Sequence, residues 1–480
     1  MNKHSTSGIN AVRVEIRPRR MSFSSIVIAN GAFPDKVNLR EPVIQALISF
    51  KDINDCPKED DIIPLVAKLI EDVDRMAGIP KRYGRSSEWY FEKCPKIDPA
   101  RMIRTFDVNH DSIDGMANEV QNLRINDELV TEKRNLPWWE FCLIRNSGKS
   151  ESMLVWRVHH AIGDGLSLGH VSLKIITRTD GTPVDDLIPA SMRLGKKLKR
   201  QGSFVVKVLN SISAAIEIAL TPMRRFDHDI AFSKNVVGMR KDTQNRKTII
   251  FDEYPLAYIK EIKNNANATL NEILHTALSQ AIHDFCHYSD CPVIKKHGEN
   301  IRCRASTTFG FPSEPHVDIN EACHNEWVPL SLDLGVGLKN LQARLMHIKQ
   351  RTRQFKEKPL ALFQLILQNR ILPILPTWLC RQIVHKVYAA HALSTSNVPG
   401  PDCPILVAGK PVSACRFSVG HIHSVVNMFS YNDYVYITMD ADDEVIPNVN
   451  LLPKFYSKAL VDLGNEFKVE IPQSLKDCSW

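Results

Sequence analysis

The run Met153-Leu-Val-Trp-Arg-Val-His-His-Ala-Ile-Gly-Asp-Gly165 joins an apolar stretch to two imidazoles, a carboxylate and two glycines. A neutral imidazole can accept a proton near pH 7 without any prior shift of its pKa, so His159 and His160 are the candidate general bases. Residues 153–158 alternate as a β-strand does, with Leu154, Trp156 and Val158 on one face and Met153, Val155 and Arg157 on the other. Continued, that period sends His160 with the first set and His159 with the second. The two rings then point to opposite sides unless the strand breaks between them, so one base is expected and the other histidine is a structural donor. Gly163 and Gly165 flank Asp164 and let the chain leave the strand sharply to begin a helix near Leu166. Asp164 either orients a histidine or holds the loop.

Three other patterns compete for chemistry. Gly165-Leu-Ser-Leu-Gly169 matches the Gly-x-Ser-x-Gly of serine esterases, which makes Ser167 a rival nucleophile. That mechanism needs the serine on the turn between strand and helix, whereas Ser167 lies seven residues past His160, inside the expected helix. Gly148-Lys-Ser150 fails as a phosphate-binding loop, because its first glycine would fall on Leu143. His421 and His423, with Cys415, share a strand-like spacing that suits zinc, but no fourth ligand is identified and strand histidines are commonly structural; no metal is expected.

His159-His160-x-x-x-Asp164-Gly165 after a strand resembles the CoA-dependent acyltransferase superfamily, which includes chloramphenicol acetyltransferase and peptide-synthetase condensation domains. Ser396-Asn-Val-Pro-Gly-Pro401 is similar to the signature of the bifunctional wax ester synthase/diacylglycerol acyltransferase family. Leu136-Pro-Trp-Trp-Glu140, Ser430-Tyr-Asn-Asp433 with Asp440, Phe106-Asp107 with His110, and Thr269 with Asn271 resemble further family segments. They fall in family order from about residue 80 to 448. The chain departs from the family at Glu272, where Asp is usual, at Asp433, where Gly is usual, and in lacking the family's opening Ser-Pro-x-Asp segment.

The resemblance implies two α/β sandwich domains of the chloramphenicol acetyltransferase-like type, with an active-site tunnel between them. It implies an O-acyltransferase that moves a long-chain acyl group from acyl-CoA to a fatty alcohol or diacylglycerol, with no cofactor beyond that co-substrate and no covalent acyl-enzyme. His160 is the base it points to, with His159 and Asp164 completing the catalytic motif. Gly165, Asn271, Ser396, Asn397 and Trp138 are the candidate substrate-binding residues, and Trp139 is a further candidate for lining an acyl tunnel. The alternatives are the Ser167 esterase and a non-catalytic lipid-binding protein. A condensation domain is disfavoured because no carrier-protein or adenylation region accompanies the motif.

At 480 residues the chain is too long for one core. Expected bounds are 15–180 for the N-terminal domain with the His-His motif, 181–246 for a crossover linker, and 247–472 for the C-terminal domain. Strands are expected at Ser24–Ala29, Phe141–Arg145, Met153–His160 and Thr248–Asp252, and a hairpin up to Met439. Helices are expected over Ile63–Met76, after Gly165, from Thr269 through its capping box, and across 337–390 with a break near Pro373. The net charge of +7 is concentrated in Arg193-Leu-Gly-Lys-Lys-Leu-Lys-Arg200, ahead of an amphipathic pattern over 205–220. Basic ends on such a helix suit an anionic membrane or lipid-droplet surface. Nucleic acid is not an expected partner, since no aromatic residues interleave the charges. The first twenty residues lack the apolar core of a signal peptide, and polar residues with two prolines spoil Leu360–Leu379 as a membrane span. Eleven cysteines without a Cys-x-x-Cys pair suit a reducing compartment. A peripheral protein on the cytosolic face of the endoplasmic reticulum or a lipid droplet is the expectation.

Overall fold

Near-continuous apolar runs form strands buried on both faces, and these build the layer that carries the histidines. The structure, a computed structural model, describes residues 19–29, 42–82, 89–94, 96–126, 129, 135–184, 204–233, 246–311, 313 and 317–476. In chain order the first half contributes β1 (Val43–Phe50), β2 (Ile103–Val108), β3 (Trp139–Asn146), β4 (Ser152–His159) and α1 (Gly165–Ser172). The helix α2 (Phe204–Ala219) crosses to the second half. There follow β5 (Arg246–Ile250), α3 (Leu270–Tyr288), β6 (Arg304–Gly310), β7 (Trp327–Asp333), α4 (Leu341–Glu357), α5 (Leu360–Ile366) and α6 (Thr377–Ala389). The chain ends with β8 (Leu393–Pro399), β9 (Ala414–Val419), β10 (Val425–Tyr431), β11 (Tyr434–Asp442) and α7 (Leu452–Glu466).

The first sheet has the order β9-β1-β4-β3-β2. Its centre is the antiparallel pair β1 and β4, in register from Val43 opposite His159 to Phe50 opposite Ser152. The second sheet runs β11-β10-β8-β6-β7, with β5 also on β11 and β8 parallel to both its neighbours. Strand β9 belongs to the second half by sequence yet completes the first sheet, antiparallel to β1. Ile405–Val407 likewise pairs with Ile176–Arg178. The expected unit 247–472 therefore lends residues 405–419 to the first layer, a long-range pairing that no local pattern announces.

Several elements differ from expectation. Ser24–Ala29 is not a strand but part of a helix, Phe23–Ala29. The Ser22 hydroxyl accepts the Ser25 N–H at 3.4 Å as a cap, and Ile26, Ile28 and Ala29 pack on the first core. Tertiary burial on several sides thus overrides the strand preference of Ile26-Val-Ile28. The helix expected at Ile63–Met76 runs Glu59–Asp72, starting earlier because Asp61 accepts the Lys58 N–H at 2.8 Å and three acids occupy the first turn. Strand β5 sits two residues before the expected Thr248–Asp252. The hairpin between β10 and β11 turns through Asn432 and Asp433, both at positive φ, so aspartate here adopts a conformation that glycine would adopt more freely. The basic run Arg193–Arg200 lies outside the described residues.

Two buried carboxylates hold the layers. Glu140 accepts from Arg157 and, at 3.1 Å, from Arg104, which gives the Leu136–Glu140 segment a structural reason. Asp440, fully buried in β11, accepts from Thr248 Oγ1 on β5 at 2.9 Å and Asn427 Nδ2 on β10 at 3.1 Å. It also accepts from Ser418 Oγ at 2.7 Å and the Val419 N–H at 3.0 Å, both on β9, and so ties one sheet to the other. Asp440→Ala strands these donors in the interior. It is expected to lower stability by about 3 kcal/mol or more, read as a lower urea midpoint, with Asp440→Asn costing less.

Candidate active site

The last residue of β4 is His159, so the strand ends between the two histidines and its alternation does not continue through them. The His159 N–H donates to Trp138 O at 2.9 Å and the His160 N–H donates to Pro42 O at 2.8 Å. Both rings line one cavity. His159 Nδ1 accepts the Ala161 N–H at 3.2 Å, which leaves the ring proton on Nε2, and Trp138 stands edge-on at 4.9 Å. Burial pushes the His159 pKa down to about 3, and the neighbouring His160 adds to the shift. His160 packs beside the Trp327 ring at 5.7 Å, and its Nδ1 is buried with no hydrogen-bond partner. Burial lowers its pKa below the ordinary 6.5, against the pull of its own main chain and, less, of the Asp164 charge. Both imidazoles are therefore neutral at pH 7.

The loop after His160 is held by the segment that enters β7. Asp164 caps α1: its carboxylate accepts the Ser167 N–H at 2.9 Å and, from across the layers, the Glu326 N–H at 2.8 Å. The Asp164 N–H donates to His324 O at 3.2 Å, and Asn325 Nδ2 donates to His160 O at 2.6 Å. The Asp164 carboxylate thus shapes the loop. The Ser167 hydroxyl donates to His324 O at 2.7 Å and to Asp164 O at 3.0 Å. Its bonds are to backbone, and it is not among the residues lining the cavity. A serine nucleophile needs a base at its hydroxyl, so the Gly-x-Ser-x-Gly match is cap geometry here. A Cβ on Gly163 would fall 2.6 Å from Ser167 Oγ, which accounts for that glycine.

The cavity, of about 740 Å³, is bounded by both sheets and by α2, α5 and α6. Its wall includes Trp138, Gly165, Trp327, Ser396, Asn397 and His421, with Trp327 beside the His160 ring. Gly165 keeps α1 close to β8, since a Cβ there would lie 3.2 Å from Val398 Cγ2. Ser396 and Asn397 project from β8, with Ser396 Oγ 3.4 Å from Thr308 Oγ1 and Asn397 Nδ2 donating to Asn271 Oδ1. The Thr269–Glu272 capping box starts α3 as the sequence implies, and it puts Asn271 in the first turn, exposed and outside the cavity wall. Asn271 therefore braces Asn397 instead of lining the site. Trp139 is fully buried, with Nε1 donating to Met76 O at 2.8 Å, and belongs to the core.

Sequence reasoning missed Asn325, Glu326 and Trp327 entirely; the one signal was a polar Cys323-His-Asn-Glu326 interruption before an apolar strand. The spacing of His421 and His423 suits zinc. His421 lines the cavity instead, its Nδ1 accepting the His423 N–H at 3.1 Å, with Tyr388 against both rings at 5.0 and 5.9 Å. Cys415 lies in the apolar core, and no group of three metal-ligating side chains converges among the described residues.

Two mixed α/β layers with a motif histidine in the cavity between them define a two-domain acyltransferase fold of the chloramphenicol acetyltransferase type. The solved wax ester synthase/diacylglycerol acyltransferase from Marinobacter aquaeolei VT8 is similar over 94% of this chain and 100% of its own, with a TM-score of 0.61 and 14% identity. Residues 325–463 match the WS/DGAT C-terminal domain model. Wax ester synthase/diacylglycerol acyltransferase 11 of Arabidopsis thaliana is 24% identical over 348 residues, 65% of this chain and 70% of that protein. The "Probable diacyglycerol O-acyltransferase tgs1" of Mycobacterium tuberculosis (strain H37Rv) is 20% identical over 362 residues, 72% of this chain and 76% of that protein. Residues 325–463 thus carry a WS/DGAT C-terminal domain, and the curated relatives that the chain resembles over about two thirds of its length are named as acyltransferases, which supports an acyltransferase.

The buried neutral histidines make stability pH-dependent. His159, His160, His275, His391, His421 and His423 all have pKa values lowered first by burial. The unfolded chain binds protons that the folded one excludes, so this stability is complete above pH 6.5 and is lost as pH falls toward the folded values, about 3 for His159, His391 and His421. Urea unfolding at stepped pH is expected to show a decline below pH 6.5, with each such histidine adding a slope of up to about 1.4 kcal/mol per pH unit. His159→Phe should flatten that slope.

Proposed function

We propose that this protein transfers a long-chain acyl group from acyl-CoA to the hydroxyl of a fatty alcohol or of diacylglycerol, with His160 as general base. The observation that carries this reading is His160 itself: an imidazole kept neutral by burial, in the wall of a largely apolar cavity of about 740 Å³. That volume lies within the range of pockets that enclose a sizeable ligand. The two acceptor classes are those in the relatives' names.

An alcohol is a weak nucleophile at neutral pH, so a base at its proton is required. His160 takes the hydroxyl proton as the oxygen attacks the thioester carbonyl. The tetrahedral intermediate then breaks its C–S bond, and the imidazolium returns the proton to the departing CoA sulfur. No acyl-enzyme forms and no cofactor or metal takes part. Ser396 Oγ, on the face of β8 that Val398 turns toward Gly165, is the donor for the developing oxyanion, which preorganised dipoles stabilise best in a dry site. Trp138 packs His159, and Asp164 and Gly165 set the loop that aims His160. No helix among the described residues is long and apolar enough to cross a membrane. The protein works as a peripheral enzyme on the cytosolic face of the endoplasmic reticulum or on a lipid droplet, where its apolar substrates collect.

A labelled long-chain acyl-CoA offered with hexadecanol or with diacylglycerol tests this reading. Wild type should form wax ester, triacylglycerol or both, and His160→Ala should lower the rate by roughly a hundred- to ten-thousandfold while staying folded. Ser167→Ala should still form ester. Free fatty acid as sole product, abolished by Ser167→Ala, would replace the transferase with a hydrolase.

A further inference from the structure

The helix α2 is apolar on two sides. Ala214 and Ile218 are buried against Val328, Leu330 and Leu360. Leu209, Ile212, Ile216 and Leu220 recur as one helical stripe on the far side, each between 50% and 60% exposed. The helix α5, which α2 packs on, continues through a π-turn (Leu367–Ile371) to α6, and this stretch exposes Ile371, Ile374 and Trp378, the last two at 79% and 67%. Two segments distant in sequence, which meet where Thr221–Met223 contacts α6, thus each present several large apolar side chains to solvent, beyond the scattered exposure normal for a surface.

The end of α2 and the stretch after α5 both reach the cavity wall. Pro222 lines it while Leu220 and Met223 beside it are exposed; Leu372 lines it while Ile371 and Ile374 are exposed. The charge near them is mostly positive, with Glu357 paired to Arg353 at the far end of α4. No Asp or Glu occurs from Phe204 to Ile216 or from Lys358 to Pro401. The exposed Lys207, Arg225, Arg370 and Lys386 lie on or next to the same elements. Glu217, the acid that interrupts them, is paired with Arg224 and Lys358.

We propose that α2 and the stretch from α5 into α6 form one platform that docks on an anionic phospholipid surface, placing the adjoining end of the cavity against the lipid. Apolar side chains enter the acyl boundary while flanking cations meet headgroup phosphates and carboxylates. The platform deepens the acyltransferase reading, since an acceptor dissolved in the lipid then reaches His160 without crossing water.

The full chain is tested by sedimentation with phosphatidylcholine vesicles, with and without phosphatidylserine, using Ile374→Ser/Trp378→Ser and Leu209→Ser/Ile212→Ser double variants. None of these residues lines the cavity. Wild type should bind the phosphatidylserine vesicles more tightly than the neutral ones, and less so as salt rises. Each double variant should bind about a hundredfold more weakly while keeping wild-type turnover on a short-chain acyl-CoA and a water-soluble alcohol. His160→Ala should bind as wild type does, so that loss of catalysis and loss of docking are separate results. Equal binding by wild type and both variants overturns the platform. So does a wild-type dimer that the variants dissociate without any vesicle binding, which would make a second copy of the chain the occupant.

Discussion

The carboxylate of Asp164 accepts one N–H from its own helix and one from the opposite layer, at 2.9 and 2.8 Å, and the position of His160 depends on that bridge. An imidazole on a free loop would sample many rotamers and backbone states, and each would have to be frozen out when substrate binds. Here the backbone on both sides of the ring is already held. Pro42 accepts the His160 N–H, Asn325 donates to its carbonyl, and His324 O takes bonds from Asp164 and Ser167. The three side chains of the motif therefore hold separate roles. One histidine lines the cavity on a clamped loop, the other lines it with Nδ1 tethered to the Ala161 N–H, and the aspartate is a structural anion whose partners are main-chain dipoles.

Layer pairing and chemistry are coupled as a result. The segment that clamps the loop precedes β7, and β7 is positioned only if the second sheet forms. The second sheet meets the first through β9 and the buried Asp440. The buried polar groups in this joint are costly unless paired, so the arrangement favours one relative placement of the layers over a continuum of sliding ones. A cavity whose two walls come from different sheets needs that kind of constraint to keep a defined width.

The parts of this design that were legible in the sequence are local. The period-2 run into His159, the glycines around Asp164, the Thr269 capping box and the Asn432-Asp433 hairpin each depend on a few neighbouring residues, and the structure places them as expected. What was hidden is long-range. Ile26-Val27-Ile28 favours a strand by composition, and only burial on several sides makes it a helix. β9 resembles any other second-half strand until it pairs with Ser49 through Ile44. Asn271 carries a chemically capable side chain, yet its direction is set by where α3 begins, and it reaches Asn397 instead of the cavity. Asn325 and Glu326 act through a side-chain amide and a main-chain N–H, a use that residue type alone does not reveal.

In the proposed transfer, dryness links the base to the selectivity of the reaction. A thioester bound beside a general base faces two acceptors, the intended alcohol and water, and a base does not distinguish between their protons. Distinction must come from the walls. The cavity is enclosed mostly by aliphatic and aromatic side chains, which favour a lipid acceptor by burial and offer isolated water few hydrogen bonds. The same walls desolvate His160, lowering its pKa and keeping it in the proton-accepting form. They also strengthen any dipole aimed at the oxyanion. A more polar lining would raise the histidine pKa, admit water and weaken the oxyanion contacts together, so these three properties cannot be tuned independently at this site.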